Sequence, residues 1–280
     1  MKCKWIVENM VREPSYLELV EAIKAEGCDL KEIKGDFKYS DIQGYDDSAP
    51  VIFLGSINMT DIVLQKMTGS YPVAYCNQRN YLCTKYMSHF GKYLFNDKYA
   101  IISLAELKRH LFFFYGVFGK ETMIFVRPDS GQKPFQAQLV DMQDFEHFYA
   151  QGRSIEHELV VVSSPKNIRG EWRFVVTSSQ EIIAQSTYRY LGKITKIPSA
   201  PKEATELVKE LLKIGYYPDT VFVLDICEDN DGNYWLLELN SFSSAGLYEC
   251  NKTNIVKRVG AIAESEWEAW RVNHVYQPHE

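Results

Sequence analysis

Residues 220–248, TVFVLDICEDNDGNYWLLELNSFSSAGLY, read as two strands joined by a tight turn. Val221 to Cys227 is β-branched and apolar, with one acid, Asp225, inside it. Asn233 to Asn240 is aromatic and leucine-rich, with Glu238 inside it. The polar run Glu228–Gly232 lies between them and ends in Asp-Gly, a strong two-residue hairpin signal. With Asp231-Gly232 as the loop, Asn230 faces Asn233, and equal steps outward bring Asp225 opposite Glu238. Asn240 shares their face, because strands have period 2. The other face takes Phe222, Leu224, Ile226, Trp235, Leu237 and Leu239, an apolar core surface.

Like charges placed opposite in a sheet are destabilising, so this carboxylate pair needs a counter-charge or takes up a proton. An oxygen-only set of Asp225, Glu238 and Asn240 is hard-cation chemistry. Mg²⁺ characteristically takes one or two carboxylates together with phosphate oxygens and water. Two other readings compete. A surface hairpin would leave the acids solvated, but apolar residues flank them too tightly for that. An EF-hand loop matches at Asp229, Asp231, Gly232 and Glu238, yet its first ligand would be Cys227, and the flanks have strand rather than helix period.

The 280 residues suffice for one large domain or two small ones, and 46% hydrophobic with 24% charged residues is the composition of a folded protein. A net charge of −6 argues against nucleic-acid binding as the main business of the surface, while leaving room for a local basic patch. The six cysteines are scattered without a C-x-x-C pair, which argues against zinc and for reduced thiols in a cytoplasm. Charges interrupt every apolar run in Met1–Glu13, so no signal peptide is expected there. The longest apolar run, Leu111–Phe118, is too short to span a membrane.

Toward the N-terminus, Lys4–Val7 reads as a strand and Tyr16–Glu26 as a helix, N-capped by Ser15 and stopped at Gly27. Val51–Leu54 reads as a buried parallel strand, and Gly55-Ser56 turns into a helix near Asp61–Met67. This alternation predicts a small α/β domain, with a boundary near Lys98. Further helices are expected over Asn80–Phe90 and Ser103–Tyr115, the latter with a Ser103/Glu106 capping box. His89 has no partner at metal-ligand spacing. Met123–Val126 is a strand running into Arg127-Pro128, and Phe135–Val140 returns. The loop between, Asp129–Pro134, contains Gly131 and Lys133 and suits closure over phosphates, although it is no Walker A loop. Glu158–Ser163 is a short apolar strand. Glu171-Trp172-Arg173 opens a hairpin of Phe174–Thr177 with Glu181–Ser186. Glu203–Ile214 and Asn254–Arg271 are scaffold helices.

Asp225 on one strand followed by Glu238-Leu239-Asn240 on the next resembles the metal-binding end of the ATP-grasp superfamily. Ser243–Tyr248 and the Arg127-Pro128 step resemble a clade of small phage and bacterial members with Arg where most have Lys. The resemblance covers Met123–Tyr248. It implies an α/β fold with an N-terminal α/β pre-ATP-grasp domain, 1–98, and a two-lobed ATP-grasp domain, 99–280. It implies ATP and Mg²⁺, with the metal on Asp225, Glu238 and Asn240. Arg127, Lys133 and Lys166 are expected on the phosphates, and the backbone of Val161, Val162 and Ser163 at the adenine. Glu171 and Arg173 fall in the cleft, with Arg173 catalytic beside Arg127 and Lys133. Arg189, Ser243, Ser244 and Tyr248 are assigned to substrate. The implied activity is ADP-forming ligation of a small-molecule or peptide carboxylate to an amine through an acyl phosphate. A small-molecule kinase and a catalytically silent nucleotide-binding protein are the alternatives.

Overall fold

The computed structural model describes residues 3–9, 14–34, 48–67 and 71–275. Parts of the 1–13 stretch and the outer ends of the ranges 1–98 and 99–280 lie outside the described residues. Three sheets organise the chain. The first is parallel: β1 (Lys4–Glu8), β2 (Asp29–Ile33), β3 (Val51–Leu54) and β4 (Pro72–Val73) lie in the order β2-β1-β3-β4. It is flanked by α1 (Pro14–Ala25) and α2 (Ile57–Lys66). Helix α1 begins before Ser15, so Ser15 lies inside it rather than capping it; Gly27, at φ +64°, follows its end as expected. In α2 the Ser56 hydroxyl accepts from Met59 N–H, so this helix starts four residues before Asp61. The expected helix over 80–90 is broken at Leu82, which is extended, and α3 spans Cys83–Phe90.

The second sheet is antiparallel, in the order β5-β8-β6-β7: β5 (Tyr99–Ser103), β6 (Met123–Pro128), β7 (Gln138–Asp141) and β8 (Leu159–Ser163). Helices α4 (Leu104–Arg109), α5 (Leu111–Phe118) and α6 (Phe145–Gln151) cover its apolar face around Ile124, Val126, Val160 and Val162. Ser103 Oγ accepts from Glu106 N–H as the capping pattern predicts, but the helix breaks at His110.

The third sheet, also antiparallel, runs β11-β10-β9-β12-β13. Its strands are β9 (Gly170–Thr177), β10 (Ile182–Tyr190), β11 (Lys193–Ile197), β12 (Val221–Glu228) and β13 (Tyr234–Ser241). Both faces are buried over their inner half. Phe174, Val176, Phe222 and Leu224 pack on α7 (Lys202–Lys213), while Val175, Val221 and Val223 pack on α8 (Lys252–Val275) and the parallel sheet. Near-continuous apolar runs in β9 and β12 follow from this two-sided burial.

The hairpin register places Asp225 opposite Glu238, and it does so through two departures from the sequence expectation. The loop has three residues rather than two. Asp229 N–H bonds Asn233 O, and Gly232 takes the left-handed position at φ +82°. A bulge at Leu237 then restores the count, since Ile226 pairs with Leu236 while Asp225 pairs with Glu238. The core face is therefore Leu236 and Leu239, both buried; Leu237 and Trp235 are only half-buried. Trp235 instead donates to Asp229 at 2.8 Å.

Phe174 is fully buried between β12 and α7. Phe174→Ala is expected to lower unfolding free energy by about 3–5 kcal/mol in urea titration, whereas Ile194→Ala, on exposed β11, should change it by less than about 0.5 kcal/mol.

Candidate active site

The polar end of the third sheet grows from the same alternation that builds its core. On β9, Glu171 and Arg173 continue the face of Val175; on β12, Asp225 continues the face of Val223. Pairing then lines up a cross-strand row, Ser186–Arg173–Asp225–Glu238, through β10, β9, β12 and β13. A second row sets Arg189 opposite Glu171, held in step by an irregularity between Thr187 and Arg189.

Arg173 solves the like-charge problem. Its Nε donates to Asp225 Oδ1 at 2.8 Å and its Nη2 to Oδ2 at 2.6 Å, a two-pronged bond between side chains 8% and 1% exposed. Its Nη1 donates to Gly246 O at 2.7 Å. The guanidinium lies over the Tyr248 ring, 4.9 Å from its centroid, and Tyr248 stacks on Tyr188 at 4.7 Å. Asn240 Nδ2 bridges the acids, donating to Asp225 Oδ2 and Glu238 Oε1, each at 2.9 Å. Burial pushes the Asp225 carboxyl up, against the pull of Arg173.

Glu238 is neutralised from across a cleft. Arg127, on β6 of the second sheet, donates to its Oε2 at 3.2 Å. Lys133, in the 129–134 loop, reaches its Oε1 at 3.4 Å and Asn240 Oδ1 at 3.0 Å. Burial raises the Glu238 pKa, but Lys133, Arg127 and Asn240 outweigh it and hold the group at about 2. Buried Arg127 Nε has no hydrogen-bond partner among the described residues. It is a donor left over on the wall of a polar cleft, which suits an anionic ligand.

That cleft, of about 460 Å³, lies between the antiparallel sheets and is lined by Phe95, Arg127, Lys166, Glu171, Leu237 and Glu238, among others. Arg189 also lines it and pairs with Glu171 at 3.3 Å. Burial pushes the Glu171 carboxyl up, opposed by the Tyr188 hydroxyl and Arg189. Lys166 stands on the cleft wall, but its ammonium is engaged by Asp97 at 2.8 Å and by the Phe95 carbonyl. The expected adenine segment sits differently. Val161, Val162 and Ser163 are fully buried in β8, which is paired on both sides, so the cleft wall begins at Ser164. Leu237, assigned to the core by simple alternation, lines the cleft because of the bulge.

The substrate assignments divide. Ser244 and Tyr248 line a cavity of about 230 Å³ against Tyr16, Leu54 and Ser56. Ser244 also lines a smaller one with Cys76, Gln78 and Tyr81, from the tyrosine-rich 71–96 region. Ser243 is fully buried. Its hydroxyl accepts from Tyr75 N–H at 2.9 Å and its carbonyl from Gly55 N–H at 2.8 Å, so it ties the parallel sheet to the third sheet. Sequence spacing alone missed Asp129, Gln132, Asp61 and Gln78, which anchor the 129–134 loop; each is an ordinary polar residue until the fold joins distant segments.

The donor set fits a magnesium ion. Among the described residues no three His, Cys, Asp or Glu side chains form a metal-sized group. The convergent set is two carboxylates and an amide, all hard donors, and the ammonium of Lys133 already rests against two of the three. Residues 109–258 match the family described as ATP-grasp domain, R2K clade family 2. Among solved structures, the ATP-grasp ligase PsnB complexed with minimal precursor has a TM-score of 0.58 at 13% identity, over 93% of this chain and 99% of that one. D-cycloserine synthetase DcsG has a TM-score of 0.59 at 10% identity, over 92% and 99%. PsnB complexed with minimal precursor, Mg and ADP has a TM-score of 0.55 at 14% identity, over 92% and 98%. Such identities establish a shared fold, the α/β architecture that the resemblance implied. No curated protein matches the chain.

Removing one partner of a buried pair strands the other charge. Arg173→Met is expected to cost about 3–5 kcal/mol in denaturant unfolding, and the Arg173→Met/Asp225→Leu double variant to recover most of that loss. Because Glu238 is held near 2 against an ordinary value of 4.5, the stability that its ionisation contributes is complete above pH 4.5 and is lost as pH falls toward 2. Stability–pH profiles should show that acid limb flattened in Glu238→Gln.

Proposed function

Since the chain belongs to the ATP-grasp domain, R2K clade family 2, we propose that it is an ATP-dependent carboxylate–amine ligase. The observation that carries this reading is the division of charge across the cleft. Arg127 and Lys133 come from the second sheet and its loop, and both close on Glu238 of the third. In this reading ATP lies between the sheets, its phosphates toward Arg127 and Lys133, with Lys166 at the wall. Asp225, Glu238 and Asn240 hold Mg²⁺, which when bound neutralises charge on the phosphate oxygens. Arg173 acts by aiming Asp225 and by fixing the Gly246 carbonyl next to the substrate loop. Ser244, Tyr248 and Arg189 face the substrates, which are a small-molecule or peptide carboxylate and an amine. The complex of PsnB with a precursor peptide supports a peptide as one candidate.

The substrate carboxylate oxygen attacks the γ-phosphorus, and the bond to the β-phosphate oxygen breaks, leaving ADP and an acyl phosphate. The amine nitrogen then attacks the acyl carbon, phosphate departs, and the amine loses a proton. Neither step needs a nucleophilic side chain; both need concentrated positive charge and exclusion of water. Residues 1–98 would supply one wall of the substrate pockets, and 99–280 most of the nucleotide cleft, which Phe95 joins from the earlier range. Among the described residues no helix is long and apolar enough to cross a membrane, and we place the reaction in a cytoplasm.

The test is product identity. Enzyme, Mg-ATP and a carboxylate pool with hydroxylamine should yield ADP together with a hydroxamate. AMP as the sole nucleotide product would overturn the mechanism, and ADP with a phosphorylated alcohol would transfer the case to a kinase. Glu238→Gln should abolish turnover while circular dichroism remains that of the wild type.

A further inference from the structure

The chain supplies its own cation to the oxygens assigned to the metal. Lys133 Nζ lies 3.0 Å from Asn240 Oδ1 and 3.4 Å from Glu238 Oε1. Counting Arg127 on Glu238 and Arg173 on Asp225, three cationic side chains face two carboxylates. A divalent ion arriving alone meets acids that are already neutralised, and it must displace an ammonium to reach them.

Lys133 is held there by the architecture of its loop. At the base, buried Asp129 accepts Thr84 N–H at 2.6 Å and the Thr84 hydroxyl at 3.1 Å, and its carbonyl accepts Cys83 N–H at 3.0 Å. It thereby caps α3, whose own N-cap residue, Leu82, offers no side-chain acceptor. At the tip, Gln132 Nε2 donates to Asp61 Oδ2 at 3.0 Å and Gln78 Oε1 at 2.8 Å. Lys133 itself sits at φ +49°, a conformation that a non-glycine residue keeps only where its surroundings demand it. Both side-chain anchors lie in segments that precede the second sheet, while the Asp129 N–H bonds the Leu159 carbonyl of β8, so the loop is tied to both sides.

We propose that Lys133 is an exchangeable stand-in cation: it excludes divalent metal from Asp225, Glu238 and Asn240 until phosphate groups draw it away. Metal then enters with the nucleotide or after it, never before. This rests on the metal assignment made above. Phosphate offers an ammonium a stronger partner than one shared carboxylate and an amide oxygen, whereas the divalent ion gains from both sets of oxygens at once.

Mn²⁺ serves as a paramagnetic probe on the full chain without nucleotide, with bound and free ion separated by electron paramagnetic resonance. Wild type should bind no Mn²⁺ at these residues. Lys133→Ala and Lys133→Met should bind it at least about tenfold more tightly, because a like charge has been removed from contact distance. Lys133→Arg should keep the exclusion, and Lys133→Ala/Glu238→Gln should lose the gain. Equal Mn²⁺ binding by wild type and Lys133→Ala overturns the proposal, as does no binding by either or a gain that survives Glu238→Gln. Matching unfolding midpoints for the variants show that the fold is intact. Calorimetry with an ATP analogue and Mn²⁺ is a separate arm. Failure of wild type to bind nucleotide there would sink the ligase reading, while the nucleotide-free comparison still decides the role of Lys133.

Discussion

The two-pronged bond between Arg173 and Asp225 is the contact on which the polar end of the molecule depends. Both side chains are buried in the middle of a five-stranded sheet, where an isolated charge is untenable. The pair sets a guanidinium against the carboxylate that β12 carries directly opposite Glu238. It also fixes what Asp225 can do: both of its oxygens already accept hydrogen bonds, and Asn240 bridges it to Glu238. The acids are thus a preorganised unit whose orientation is set by the sheet, and rigid elements hold geometry better than loops do.

Glu238 is the contrasting member. Its partners come from another sheet and a loop, and they close over a cleft rather than a core. One carboxylate is locked by a neighbouring strand, and the other meets cations borne by a different sheet and its loop. That asymmetry suits a site that must grip a polyanion and release its product.

Much of this was legible in residues 220–248. The pairing of Asp225 with Glu238 and the shared face of Asn240 follow from hairpin counting, yet the count held for a reason that simple alternation does not contain. A loop one residue longer than Asp-Gly suggests, closed by the Asp229–Asn233 bond, is offset by the bulge at Leu237. The cost of the simpler reading falls on the neighbours. Leu237 moves from core to cleft wall, and Leu236 takes its place in the core. The valine run of β8 likewise signalled a buried strand, but pairing on both sides removed it from the cleft wall.

The sequence by itself determined the α/β class, the hairpin with its acids and amide on one face, and the extended Arg127 at a strand end. Each of these is local: period, turn chemistry and the restriction before proline act over a few residues. Only the tertiary structure decided which cation meets which acid. Arg173 reaches Asp225 across 52 positions, Arg127 reaches Glu238 across 111, and Asp129 caps a helix 45 positions earlier in the chain. No local pattern encodes such partners, because a charged side chain looks the same in sequence whether it ends in solvent, in an ion pair or over a cleft. Burial makes the difference, and burial is a property of the packed sheets.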